Sequence, residues 1–174
     1  GNRGLSFIPS LPLCSCGTME QKNIITVAWT GTVNSDPAMT YVSIRPSRHS
    51  YNIIKETGEF VINLVTERLA YACDLCGVRS GRDLDKFEAM HLTAKKGEKV
   101  NAPIIYESPV NIECKVKKIE KLGSHHMFLA EVVAVHADEA YMDKIINSAE
   151  SVKTDGIFPW RISGTWKETG HLWI

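Results

Sequence analysis

The segment 110–117 constrains the fold most strongly, because its side chains alternate strictly between apolar and polar types. Such alternation puts successive side chains on opposite faces of a sheet and predicts an antiparallel strand with one face in solvent. A second long strand is predicted over 128–136, joined to the first through a turn at Gly123. The polar residues expected on the solvent face are Asn111, Glu113, Lys115 and Lys117.

Three shorter runs earlier in the chain are also rich in β-branched and aromatic residues. They cover 23–30, 39–45 and 59–65, and each has the length and composition of a largely buried strand. Since many strands accompany few and short helices, the pattern favours a mainly β, antiparallel barrel over a doubly wound sheet.

Short helices are predicted between these strands. The first covers 47–57, with Ser47 or Ser50 as its N-cap and Gly58 closing it. A second is predicted over 66–77, with Gly77 as its stop. A third helical turn follows Asp83 or Asp85, either of which is a suitable cap. No repeat or linker divides the chain, so residues 1–174 are expected to form a single domain.

The charge balance limits the classes of partner. Lys plus Arg and Asp plus Glu number 20 each, so the chain lacks the cation surplus that sequence-independent nucleic-acid binding needs. No segment approaches the roughly 20 apolar residues of a membrane helix, and the first residues do not lead into a signal-peptide core. We expect a cytoplasmic protein that binds neither nucleic acid nor membrane.

Residues 43–50 gather two guanidinium groups, an imidazole and three hydroxyls where a strand ends and a helix begins. Arginine donors match phosphate oxygens, and free amides at a helix N-terminus add a favourable dipole. The segment therefore predicts a phosphate site, and the alternative is a solvated turn with a serine cap. The side chains in question are Ser43, Arg45, Arg48, His49 and Ser50.

Two further polar clusters follow apolar segments. In residues 80–87, Gly81 permits close backbone approach and Lys86 can reach a bound anion, although a helix cap with acidic residues explains the cluster equally well. Residues 123–126 contain His125 and His126, of which at most one is expected to line a given pocket. The alternative there is an exposed hairpin histidine.

Five cysteines form an odd count, which argues against a disulfide framework, and we interpret them as free thiols. A metal site of four thiolates remains an alternative to buried packing. Its ligands would be Cys14, Cys16, Cys73 and Cys76.

The glycine-rich nucleotide loops and the common hydrolase signatures are absent from the sequence.

Taken together, residues 23–32, 43–50, 58–64 and 76–87 resemble the flavin reductase-like family, and more narrowly the flavoredoxins. The resemblance runs in the same order from about residue 12 to residue 173. It implies a split β-barrel that binds FMN, usually as a homodimer with each flavin near the subunit interface.

The resemblance also implies roles for individual residues. The wall along the isoalloxazine and ribityl chain would comprise Asn23, Thr26, Val27, Ala28, Trp29 and Thr30. The phosphate would be held by Ser43, Arg45, Arg48, His49 and Ser50, and the flavin would be enclosed by Ser80, Gly81 and Lys86. His125 and Phe158 would lie near the exposed ring face, either from the same subunit or from its partner.

The implied function is an FMN-dependent oxidoreductase, with hydride or electrons passing from NADH, NADPH or a protein donor to a second acceptor. That acceptor would be free flavin, a ferric complex or a redox partner, and the positive charge of Lys86 would favour the reduced flavin. No nicotinamide-binding motif is visible in the sequence. The alternatives are a non-catalytic FMN-binding electron-transfer module and the cysteine-ligated structural protein.

The tail contains three tryptophans, which are expected to pack on the body or on a second subunit. They are Trp160, Trp166 and Trp173.

Overall fold

The computed structural model describes residues 11–141. Phe158 and the three tail tryptophans lie outside the described residues, so their predicted positions stay predictions. The strands are β1 (Leu13–Gly17), β2 (Lys22–Thr26), β3 (Thr30–Ser35), β4 (Ala38–Ile44), β5 (Glu59–Asn63), β6 (Ala94–Lys95), β7 (Ile104–Ile105), β8 (Val110–Lys121) and β9 (His126–Ala137). The α-helices are α1 (His49–Thr57), α2 (Ala70–Val78) and α3 (Lys86–Ala89), and a 3₁₀ turn covers Glu67–Leu69.

Seven strands form one antiparallel sheet in the order β2-β1-β5-β8-β9-β4-β3. Its two edge strands, β2 and β3, are consecutive in the chain and are separated by residues 27–29 alone. The Val27 amide donates to the Pro12 carbonyl at 3.1 Å, and the Ser43 amide donates to the Trp29 carbonyl at 2.8 Å. The connection is therefore bonded to both sides of the sheet, and the predicted mainly β, antiparallel fold with few short helices is confirmed.

One apolar core fills the concave side of this sheet. Phe60 and Phe128 are fully buried at its centre, and helix α1 adds Tyr51 and Ile54. Tyr51 meets Phe128 edge to face, with ring centroids 5.3 Å apart. Because burial of large apolar side chains is the main stabilising term in folding, this core fixes α1 against the strands.

A second apolar cluster joins helices α2 and α3 to strand β2. Leu69, Cys73 and Cys76 lie on its helical side, as their spacing predicts, and Phe87 comes from α3. Gly77 does not end α2, which continues to Val78, so that prediction was wrong. A Cβ at Gly77 would lie 3.4 Å from Thr26, an ordinary contact distance, so α2 lies directly against β2 at this point.

Several predicted boundaries also changed. The run 23–30 is split between β2 and β3, because the chain crosses there from one sheet edge to the other. Helix α1 has Arg48 at its N-cap and no side-chain cap bond, so the predicted serine cap was wrong. Gly58 closes α1 at φ 69° as expected, and Asp85 caps α3 by accepting from two backbone amides.

The predicted solvent face of β8 is only partly exposed. Lys115 and Lys117 are exposed, whereas Asn111 and Glu113 are buried, so the expectation was wrong for these two residues. Segment 97–105 covers them, and its amides at 98–100 donate to the Glu113 carboxylate at 2.7–2.9 Å. A strand pattern cannot predict this burial, because the covering segment has no periodicity of its own.

No helix within residues 11–141 has the length and apolar character needed to span a bilayer.

Candidate functional site

A cavity of about 290 Å³ lies between the start of α1, strand β2 and segment 79–86. No Asp or Glu of the described residues lines it. Its basic side chains are Arg45, Arg48, His49, Arg79, Arg82 and Lys86. Since the whole chain carries no formal net charge, this concentration of cations marks the cavity as an anion site.

The four arginines of the cavity have no ion-pair partner among residues 11–141: no carboxylate there lies within 4 Å of their guanidinium groups. All four side chains are exposed. Guanidinium groups bind phosphate or carboxylate through paired hydrogen bonds, so the cavity offers several such forks to a ligand.

Ser50 lies in the wall of this cavity and is 1 % exposed. The Asn23 amide donates to its hydroxyl oxygen at 2.8 Å, which fixes the side chain and leaves its own O–H as a donor. A Cβ at Gly81 would lie 2.1 Å from Asn23 Oδ1, so only glycine fits at that position without displacing Asn23. The three residues therefore form a close-packed floor.

Helix α1 begins at the same cavity. Arg48, His49 and Ser50 line it, and no side chain caps the first amides of the helix. The uncapped amides and the positive end of the helix dipole favour an anion at this point. The missing serine cap is thus explained by the site, where a ligand can satisfy the same donors.

Lys86 is 4 % exposed and lines this cavity. Its Nζ donates to the carbonyl oxygens of Ile24 at 2.7 Å and Cys76 at 2.8 Å, so it links β2 to α2 and keeps one N–H for a ligand. Burial lowers the pKa of Lys86, and the nearby charge of Arg48 lowers it further. We call this cavity, which is lined by Arg45, Arg48, Arg79 and Arg82, the arginine cavity or the larger cavity.

A second cavity of about 200 Å³ adjoins the first and shares Ile25, Arg45 and Arg48 with it. The connection from Thr26 to Trp29 forms one wall, and His125 forms part of another. The rings of Trp29 and His125 are in contact, with centroids 4.0 Å apart and planes tilted by 45°. This cavity therefore presents two aromatic rings and several apolar side chains beside the arginines.

The two adjacent histidines separate as predicted. His125 lines the smaller cavity, and its Nδ1 is 3.0 Å from Ser124 Oγ. His126 turns away and its Nδ1 is 2.7 Å from the Tyr51 hydroxyl. Burial lowers the pKa of His125, and the charges of Arg45 and Arg48 act in the same direction.

Most residues singled out from the sequence border one of the two cavities. Those on the larger cavity are Asn23, Arg45, Arg48, His49, Ser50, Ser80, Gly81 and Lys86. Those on the smaller cavity are Thr26, Val27, Ala28, Trp29, Ser43, Arg45, Arg48 and His125. Thr30 lines neither, and its hydroxyl donates to the Tyr41 carbonyl at 2.6 Å. Sequence analysis gave no role to Arg79 and Arg82, although both flank the Ser80-Gly81 pair.

The cysteines divide between the two apolar clusters. Cys14 and Cys16 lie in the core under the sheet, whereas Cys73 and Cys76 lie between α2 and β2. Burial raises the pKa of Cys16 to about 12 and that of Cys76 to about 11, which keeps both thiols protonated. Among the described residues no group of three or more His, Cys, Asp or Glu side chains is arranged to hold a metal ion. The two cysteine pairs lie in separate clusters, so their positions do not support the four-thiolate metal site considered from the sequence.

Comparison with known proteins gives consistent matches. The flavin reductase like domain family matches residues 9–151. An uncharacterized protein of Archaeoglobus fulgidus is 34% identical over 125 residues, which cover 72% of this chain and 71% of the relative. The structure of flavoredoxin from Desulfovibrio vulgaris (Miyazaki F) is similar at a TM-score of 0.76 and 30% identity, covering 90% of this chain and 79% of flavoredoxin.

A third similar protein extends the comparison of folds. The FMN-binding protein of Thermus thermophilus has a TM-score of 0.74 at 23% identity, with 83% of this chain and 80% of that chain covered. This likeness concerns the fold, and together with the flavoredoxin match it identifies the curled antiparallel sheet as the split barrel expected from the sequence.

Proposed function

Because the chain belongs to the flavin reductase-like family, we propose that it is an FMN-dependent oxidoreductase. Family membership and the flavoredoxin match support a flavin cofactor and oxidoreductase chemistry. The finer statement, that FMN passes reducing equivalents from a nicotinamide or protein donor to a second acceptor, is our proposal.

The observation that carries this proposal is the direct adjacency of the two cavities. FMN has an anionic phosphate at one end and a flat aromatic ring at the other. The larger cavity supplies unpaired arginines, and the smaller one supplies flat side chains, with Arg45 and Arg48 at their junction. The larger cavity is therefore suited to the phosphate of FMN, and the adjoining smaller cavity is suited to its ring.

In the larger cavity, Arg45 and Arg48 would hold the phosphate together with His49 and Ser50, and Ser43 would join them from the smaller cavity. Ser50 is suited to this role because its hydroxyl oxygen accepts from Asn23, which leaves its O–H as a donor to a ligand or to the neighbouring Cys16 thiol. Ser80, Gly81 and Lys86 would close the site from the other side. The first amides of α1 complete the set of donors to an anion.

In the smaller cavity, Thr26, Val27, Ala28 and Trp29 would flank the ring, with Thr30 supporting this wall from β3. Bound FMN would supply the capacity to accept and release hydride or single electrons. The residues themselves bind and orient the cofactor. His125, and Phe158 outside the described residues, remain our candidates beside the exposed ring face.

Other features of the proposal rest on the family resemblance. We propose that the donor is NADH, NADPH or a redox protein, and that the chain acts as a single-domain homodimer in the cytoplasm. Free flavin and ferric complexes are the acceptor classes to try first. Lys86 lines the larger cavity and has one N–H beyond the two that bond to carbonyl oxygens, which supports a role for its charge in holding the anionic cofactor.

The test is steady-state oxidation of NADH or NADPH by FMN-loaded protein, with free flavin or a ferric chelate as acceptor. We expect the wild-type protein to oxidise the nicotinamide donor. The rate should fall in Arg48→Gln, because this substitution weakens FMN binding. Arg68→Gln is the matched control, since Arg68 is exposed in the 3₁₀ turn and lines neither cavity. Failure of the wild-type protein to bind FMN would overturn the proposal.

The similarity to flavoredoxin favours a second candidate, a non-catalytic electron-transfer module. Such a module would bind FMN with the same residues but would not deplete a nicotinamide donor. The same assay separates the two, because an FMN-bound protein that leaves NADH and NADPH unchanged, yet is reduced by a protein donor, is a carrier.

A further inference from the structure

A buried tyrosine links helix α1 to strand β9. The Tyr51 side chain is 6 % exposed, and its hydroxyl lies 2.7 Å from His126 Nδ1. The rings of the two residues also meet edge to face, with centroids 5.3 Å apart and planes at 70°. A hydroxyl inside an apolar core needs a hydrogen-bond partner, and here the partner belongs to a different element of the fold.

On the helix side, Tyr51 belongs to the turn that begins at the arginine cavity. It directly follows Ser50, and its amide donates to the Arg48 carbonyl at 3.1 Å. Arg48 and Ser50 both line the larger cavity. The position of Tyr51 is therefore fixed in the same turn as two of the proposed phosphate ligands.

On the strand side, His126 directly follows His125, which lines the smaller cavity. His126 is the first residue of β9, where it is paired with β4 on one side and with β8 on the other. The two imidazoles point in different directions, since His126 faces Tyr51 and His125 contacts Trp29. Fixing the His126 ring therefore fixes the backbone from which His125 projects.

The His125 ring itself is held by weak contacts. Its Nδ1 lies 3.0 Å from the Oγ of Ser124, its neighbour in an exposed turn, and its ring packs against Trp29. A hydrogen bond in solvent adds little to stability, because water competes for both groups. The place of this ring in the cavity wall thus depends on how firmly its backbone is held.

We propose that Tyr51 and His126 are positioning residues, whose hydrogen bond holds the His125 ring against Trp29 in the wall of the smaller cavity. The inference rests on the proposed function, because that cavity is where we place the flavin ring. It deepens that function by joining the phosphate end of the site to the ring end through the core. Neither Tyr51 nor His126 lines either cavity, so their effect on a ligand passes through His125.

The experiment is an NMR pH titration of the histidine ring signals in flavin-free full-length protein. Burial lowers the pKa of His125 below its ordinary 6.5, and the charges of Arg45 and Arg48 lower it further. In Tyr51→Phe the imidazole is free to move toward solvent. Its pKa should therefore rise toward 6.5, and the ring-current shift that Trp29 imposes on its signals should shrink. Loss of one signal in His125→Gln assigns the resonance.

Three further variants sharpen this test. Tyr71→Phe is the matched control, because Tyr71 is 72 % exposed on α2, and it should leave the His125 titration unchanged. His126→Leu removes the partner of the Tyr51 hydroxyl and should reproduce the result of Tyr51→Phe. His126→Asn keeps a polar group close to the position of Nδ1, so His125 should titrate as in the wild type.

Two results of the titration would overturn the inference. One is a His125 titration that is the same in Tyr51→Phe as in the wild type. The other is an equal change at His136, which lies at the far end of β9, because it would indicate a general loosening of the fold.

A second measurement uses FMN-loaded protein. The visible circular dichroism of the bound flavin should change in Tyr51→Phe while FMN affinity stays close to that of the wild type, and an unchanged spectrum would overturn the role of the pair at the ring. Wild-type protein that binds no FMN would overturn the proposed function. The titration of flavin-free protein would still decide whether Tyr51 and His126 position His125, so the two failures are distinguishable.

Discussion

Two polar regions flank the apolar core of the barrel, and they differ in how their hydrogen-bonding groups are used. In the arginine cavity, the guanidinium groups have no carboxylate partner among the described residues. Around Glu113 and Asn63, in contrast, the buried polar side chains find acceptors and donors within the protein. Polar groups that are paired within the protein therefore stabilise this fold, whereas the unpaired arginines are available to a ligand.

The second region shows how completely a polar cluster can be satisfied. The Asn63 amide donates to the Leu13 carbonyl at 2.8 Å, and its oxygen accepts from the Ile105 amide at 3.0 Å and from Asn111 at 2.8 Å. Glu113 accepts three backbone amides and contacts His136. These bonds fasten segment 97–105 to the outer face of the sheet.

The largest effect is expected from Glu113→Ala. The substitution leaves three amides of a covering segment without their acceptor, so the free energy of unfolding should fall by about 3 kcal/mol or more. Urea denaturation measures it, with Glu98→Ala as the control because the Glu98 side chain is exposed in the same segment. FMN affinity should stay unchanged. A change in FMN affinity without a loss of stability would contradict the assignment of Glu113 to the fold.

Gly81→Ala should disturb both properties at once. The added Cβ would meet Asn23 Oδ1 at 2.1 Å and disturb its bond to Ser50, at a cost of about 1–3 kcal/mol and with weaker FMN binding. Gly58→Ala is the matched contrast, because it strains a residue at φ 69° that has open space around it. It should lower stability by about 1 kcal/mol and leave FMN affinity intact, and equal affinity losses in the two variants would refute the steric argument.

Arg48→Gln is predicted to lower FMN affinity and leave stability unchanged, whereas Glu113→Ala lowers stability and leaves FMN affinity unchanged. The exposed guanidinium has no partner in the described protein, so the free energy of unfolding should change by less than about 0.5 kcal/mol. FMN affinity should fall about tenfold, since a charge-assisted hydrogen bond is lost. Titration calorimetry and urea denaturation of the same samples measure both quantities, with Arg68→Gln as the control. A destabilised variant with normal affinity would contradict the assignment.

The smallest effect concerns pH. Burial alone would raise the pKa of Glu113, but the hydrogen bonds from the amides at 98–100 and from His136 outweigh it and lower the pKa below its usual 4.5. The folded protein therefore binds fewer protons than the unfolded chain in mild acid. This part of the stability is present above pH 4.5 and is lost as pH falls through the lowered pKa.

Glu113→Gln should lack this contribution, so its stability difference from wild type should shrink as the pH falls. Urea midpoints measured from neutral pH into acid test this expectation. A difference that stays constant over the whole series would show that the carboxylate does not titrate as described.

The sequence analysis predicted the elements whose side chains follow a regular period. The alternation of 110–117 identified β8, and Gly58 identified the end of α1. It also grouped Arg45, Arg48 and Ser50, because they are close in the chain and their chemistry suits a phosphate.

What the sequence could not predict depends on segments that meet only in the folded chain. Glu113 and Lys115 occupy equivalent places in an alternating pattern, yet segment 97–105 covers only the first. The break between β2 and β3 also follows from tertiary structure, since Val27 bonds to Pro12 beside β1, whereas Trp29 bonds to Ser43 of β4. Arg79 and Arg82 join the cavity because α2 packs against β2.

The most direct test of the central claim is an absorption spectrum of concentrated, purified protein, followed by denaturation and identification of the released chromophore. We predict a yellow protein that releases about one flavin per chain, or a flavin-free protein that takes up one FMN when it is added. A colourless protein that also fails to take up FMN would contradict the assignment of the arginine cavity to a flavin phosphate.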